Sequence, residues 1–212
     1  MNFFQKFKRY FASSEDKALS GMYGDTPESH LDRYPQVPPP ESESSPRLLA
    51  ARWAAGDLYV EHVPSLAADL LEMGHDTPSL RRLAGEAVTH HSADLEPLIA
   101  RTFQELGVVY PLTESQEKLY ASRQIAREVI YGLRNPWAAA SNLEVVIWNW
   151  RWVDQVPAFE IIYSINDELT WDDESMRRTK TEMKSALIEA FASLASLSDS
   201  EIFQPPTVRK RN

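Results

Sequence analysis

The densest group of side chains able to do acid–base work is Asp167, Glu168, Asp172, Asp173 and Glu174. Paired carboxylates can trade a proton or hold Mg²⁺. The same acids sit at the start of a long helix read over residues 172–197, ahead of Arg177, Arg178, Lys180 and Lys184. Acids first and bases later suit the helix dipole without any catalysis. The five histidines offer little more. His30 falls in a Pro-rich stretch and His62 in a loop, both read as exposed. His90 and His91 are adjacent and point to different helix faces, and a helix break near Ser92 spoils the spacing of His90 with Asp94. One Glu72-x-x-His75 occurs, with Gly74 inside it, whereas di-iron bundles need two such motifs and two further Glu. No metal and no cofactor is expected.

Other chemistry is excluded by what is missing. There is no Cys, so no disulfide framework, thiolate zinc site or cysteine nucleophile. The 7 Gly form neither a dinucleotide fingerprint nor a P-loop, and there is no nucleophile elbow and no H-E-x-x-H.

Two aromatic groups remain. Trp137, Trp148, Trp150 and Trp152 fall within 16 residues. On a helix Trp148 and Trp152 share a face while Trp150 lies about 200° from Trp148. Such a helix is either central to the core or leaves one Trp face as a partner anchor. The second group is Phe3, Phe4, Phe7, Tyr10 and Phe11, a helical stripe opposite Lys6 and Arg9. It reads as a membrane-surface helix or as a helix that docks in a protein groove.

The elements that must position these groups follow from periodicity and punctuation. Residues 15–46 form an acidic Pro/Ser/Glu-rich linker; Pro38-Pro39-Pro40-Glu41-Ser42-Glu43-Ser44-Ser45-Pro46 offers no apolar face and few donors. From Arg47 the chain reads as helix after helix. Gly56, Gly74, Gly107 and Gly132 are stops, and Asp76-Thr77-Pro78, Asn135-Pro136 and Pro157 are starts. Residues 145–153 are β-branched and aromatic and also fit a strand, but the neighbouring helices favour helix. The expected fold is all-α: a compact bundle of about seven helices over 47–198, preceded by the linker and a short amphipathic helix at 1–14, with a tail from 199. Two similar lobes, 47–112 and 113–198, are suggested by a weak echo at an offset of about 75–79 residues.

Charge completes the reading. The chain of 212 residues carries 22 Lys+Arg against 31 Asp+Glu, a net −9. Residues 1–14 hold +3 and the tail +1; everything between is acidic. An acidic body repels nucleic acid and suits a basic protein. No apolar run reaches the ~20 residues of a membrane span, and no secretory or lipidation signal is read, so a cytoplasmic location is expected. The expectation is a non-catalytic interaction protein, such as a bacterial immunity or inhibitor protein that masks a basic toxin. Its partner-binding residues would be Trp148, Trp152, Asp167, Glu168, Asp172, Asp173 and Glu174. The alternatives are a peripheral membrane adaptor anchored by residues 2–11 and an enzyme that uses the 167–174 acids.

Overall fold

A computed structural model describes residues 26–42, 44–54, 58–87, 92–148, 156–169 and 178–203. All regular structure among them is helical. The helices are α1 (Pro46–Ala54), α2 (Val63–Glu72), α3 (Pro78–Ala84), α4 (Ser92–Glu105), α5 (Glu114–Ile130), α6 (Pro136–Trp148), α7 (Pro157–Leu169), α8 (Lys180–Ala195) and α9 (Asp199–Phe203), with a 3₁₀ turn at Val60–His62. None is long and apolar enough to cross a membrane. The chain divides into two compact units, Glu41–Glu117 and a second made of Met1–Pro40 with Lys118–Asn212. The division falls inside α5 rather than in the loop before it.

At the described positions the punctuation read from sequence operates as expected; Gly56 lies outside them. Thr77 caps α3 by accepting the Leu80 N–H at 3.2 Å, with Pro78 in the first turn. Asn135 caps α6 through Oδ1, which accepts from Trp137 N at 2.9 Å. Gly74 ends α2 at φ 90: its N–H reaches Leu71 O, and the His75 N–H reaches Leu70 O, the Schellman pattern.

In the Glu41–Glu117 unit, α2 packs on α3 and α3 on α4. Leu49, Val63, Ala67, Leu70, Leu80, Leu83, Leu95, Ile99 and Phe103 form the core. An apolar cavity of about 40 Å³ lies between residues including Trp53, Leu66, Leu80 and Phe103. An engineered apolar cavity that admits benzene measures about 150 Å³, so this is slack in the core and no ligand pocket. The unit holds 13 acids and 5 bases, a net −8, and the rest of the chain only −1.

In the second unit α7 packs on α6 and α8, and α6 on α8. Phe159, Ile162, Ile165, Leu187, Phe191, Leu143 and Trp137 are fully buried or nearly so. From Lys118 to Arg127 every residue of α5 is buried, polar ones included. Two of its three buried bases, Arg123 and Arg127, serve a helix end. The Arg123 guanidinium donates to Leu197 O at 3.1 Å and pairs with Asp199 at 2.7 Å, and Arg127 Nε donates to Ala195 O at 3.2 Å. Cations there meet the carbonyls that the end of α8 leaves open.

Two expectations need correction. The last long helix does not begin with Asp172: it begins at Lys180, behind a capping box in which Thr179 accepts from Glu182 N and the Glu182 carboxylate accepts from Thr179 N. Asp167 and Glu168 therefore lie at the end of α7, where the helix dipole disfavours acids, and not at a helix start. Residues 26–40 carry no helix, in keeping with the linker reading, and within the second unit Val37 is buried and the His30 N–H bonds to Ile130 O. The expected helix at 1–14 lies outside the described residues.

Candidate functional site

Of the acids singled out by sequence, the described pair diverges. Asp167 is exposed and Glu168 is buried, as neighbours about 100° apart on a helix must be. The Glu168 carboxylate accepts from Arg178 Nε at 2.7 and 3.0 Å, from Arg178 N at 3.2 Å, and from the second guanidinium nitrogen. The Arg178 hydrogen bonds hold it below the usual carboxylate range, against the cost of burial. Its capacity is spent on closing the end of α7. Trp148 is the last residue of α6. Trp152, Asp172, Asp173 and Glu174, and Phe3, Phe4, Lys6, Phe7, Arg9, Tyr10 and Phe11, lie outside the described residues.

The structure instead isolates a different acidic face, on α2. Pro64 fixes the first turn, and Val63, Pro64, Ala67 and Leu70 turn inward. The outward positions are Ser65, Asp69 and Glu72, continued backward by Glu61 of the 3₁₀ turn. Spacing of 61, 65, 69 and 72 keeps them on one side. Two apolar side chains bracket the stripe: Tyr59, 43% exposed and edge-on to His62, and Met73, 52% exposed.

Four other acids of the unit are held by neighbouring groups. Asp76 takes Arg81 through two bonds of 2.6 Å, and those bonds lower its pKa. Glu86 pairs with Arg82. Glu105 accepts from Ser79 N at 3.0 Å, Ser79 Oγ at 2.8 Å and Arg101 Nε at 3.0 Å, and its pKa falls to about 2, chiefly through the Ser79 bonds. Glu96 accepts from Trp53 Nε1 at 2.8 Å and from the Tyr110 hydroxyl, whose pKa is raised first by burial and then by that carboxylate. Three of the five arginines are thus committed to the unit's own acids. Glu61, Asp69 and Glu72 make no ion pair among the described residues.

Sequence reading passed over this stripe because its acids are separated by three or four residues and do not form a run. The signal was present in the alternation with Val63, Ala67 and Leu70. Among the described residues no three His, Asp or Glu side chains are grouped so as to hold a metal ion. No family model matches the chain, and no curated protein and no solved structure is detectably similar to it.

Proposed function

We propose that this protein is a non-catalytic interaction protein whose Glu41–Glu117 unit binds a basic protein through the outward face of α2. The observation that carries the reading is the distribution of charge: a net −8 in that unit, with three of its five arginines turned to its own acids while Glu61, Asp69 and Glu72 stay exposed. Complementary charge raises the association rate with a basic partner and suppresses acidic ones. Tyr59 and Met73 add apolar area of the kind that anchors an interface. An inhibitor or immunity protein that masks a basic toxin fits this chemistry, and Trp148 and Trp152 remain candidates for a second anchor.

The test is a pull-down with the full chain from its native source, with bound proteins identified by mass spectrometry. The comparison is the triple variant Glu61→Lys, Asp69→Lys, Glu72→Lys. The reading requires a basic protein that the wild type retains and the variant loses, with wild-type binding weakened by salt. A partner held equally by both, or one held regardless of salt, overturns it. Circular dichroism of the variant separates lost binding from lost fold.

A further inference from the structure

Residues 26–40 lack helix, yet they are seated on α5 and α8 by contacts that a plain tether does not need. At the end of α5 the open Ile130 carbonyl accepts the His30 N–H at 2.8 Å. Two residues on, Gly132 has φ 71, and a Cβ there would stand 2.6 Å from Ser29 N and 2.7 Å from the Glu28 carbonyl carbon. Only glycine leaves room for the segment at this place. The Tyr131 hydroxyl donates to Val37 O at 3.2 Å, over the buried Val37 side chain. Toward α8, Glu28 pairs with Lys184 at 3.1 Å and Arg33 with Glu189 at 2.7 Å.

The His30 ring lies inside this seat. Its Nε2 is shut off from water and has no hydrogen-bond partner among the described residues. The charges acting on the ring are Glu28 and Arg33 from its own segment and Lys184 from α8; Glu189 of α8 stands behind Arg33, and α5 supplies the neutral Ile130 carbonyl. We infer that residues 26–40 are a latch, closed while His30 is neutral and opened when its imidazole takes a proton. An imidazolium carries a donor on each nitrogen. Here Nε2–H would point at no acceptor, and two cations oppose one carboxylate around the ring.

Burial, first, and then Lys184 and Arg33 lower the His30 pKa from 6.5, while Glu28 opposes them. A folded value below the unfolded one means the unseated state binds protons more readily. The closed latch is therefore fully held above pH 6.5 and is weakened as pH falls below it. Opening frees 15 residues, which span up to roughly 50 Å when extended.

The experiment is amide hydrogen exchange on the full chain, read by NMR at His30, Tyr34 and Val37, whose N–H groups are bonded in the closed segment. Rates at about pH 7.5 and about pH 5 are compared after correction for intrinsic exchange. The wild type should lose protection at these amides several-fold at the lower pH, the direction set by the lowered pKa of the seated imidazole. Core amides of α8 should keep theirs. His30→Gln should show the same protection at both values. Gly132→Ala should be unprotected at both, because the seat itself is blocked. Wild-type protection that does not change between the two values overturns the latch, and so does an equal loss in His30→Gln. The His30→Gln comparison stands even where Gly132→Ala fails to fold.

Discussion

Glu105 shows how a single exposed-looking carboxylate can matter. Two bonds from Ser79 and one from Arg101 bring its pKa from 4.5 to about 2. Because the folded value is depressed, its contribution is complete above about pH 4.5 and is lost as pH falls from there toward 2. Urea midpoints followed across that window should therefore fall with pH in the wild type. Glu105→Gln should be less stable at neutral pH and should show a shallower dependence, since the amide does not titrate. Nothing in the spacing of Ser79 and Glu105 announces this contact; it exists because α3 packs on α4. The same holds for Glu168, whose partner Arg178 stands beyond the end of its own helix. Sequence offered it as a surface acid, but folding turned it inward.

At the scale of the element, the ends of helices are where local sequence speaks most clearly. Thr77-Pro78, Asn135-Pro136 and Gly74 do what their side chains and backbones favour, because caps depend on neighbours within a few residues. The start of α8 was open to the same reading: Thr179-Lys-Thr-Glu182 is a capping box, and the acids at 172–174 drew attention from it. Thr179→Ala should lower stability by about 1 kcal/mol, measured by denaturant unfolding. Gly74→Ala and Gly132→Ala make a sharper pair. Both force alanine into positive φ, at about 1 kcal/mol. A Cβ at Gly74 meets nothing within 4 Å, whereas one at Gly132 collides with the backbone at Ser29. The second variant should lose clearly more stability than the first, and the excess measures the seat of residues 26–40. That seat was not legible. A stretch of prolines, serines and acids has no apolar period, and it is held by backbone groups, one Val and the absence of a side chain on Gly132.

For the whole molecule, the net −9 proves to be almost wholly the property of one unit. Cutting the sequence at 112 and 113 spread the charge evenly, at −4 on each side, because that division left the acids at 41, 43, 114 and 117 elsewhere. The compact units gather those four with α1 to α4. Partner binding should therefore follow charge on that unit. Lys substitutions at 61, 69 and 72 should weaken it, and the wild-type association rate should fall as ionic strength rises, in stopped-flow measurements with the identified partner. In each unit a large-to-small change in the core gives an independent measure. Leu80→Ala and Phe191→Ala should each cost about 2–5 kcal/mol, because both side chains are fully buried.

The all-helical class, most helix boundaries and the lack of recognisable catalytic motifs are written in the local sequence. These follow from apolar periodicity, from prolines and glycines acting over a few residues, and from the residue types present. Which polar groups are spent is set by how the helices pack. Lys118, Arg123 and Arg127 are charged, and Glu168 was expected at a surface, yet packing buries all four. Glu61, Asp69 and Glu72 read as unremarkable, yet the pairing of Arg81, Arg82 and Arg101 with other acids leaves them as the exposed acids of α2 and the turn before it. The physical reason is range. Periodicity and capping act between near neighbours, whereas the partner of a charge is set by which helices meet.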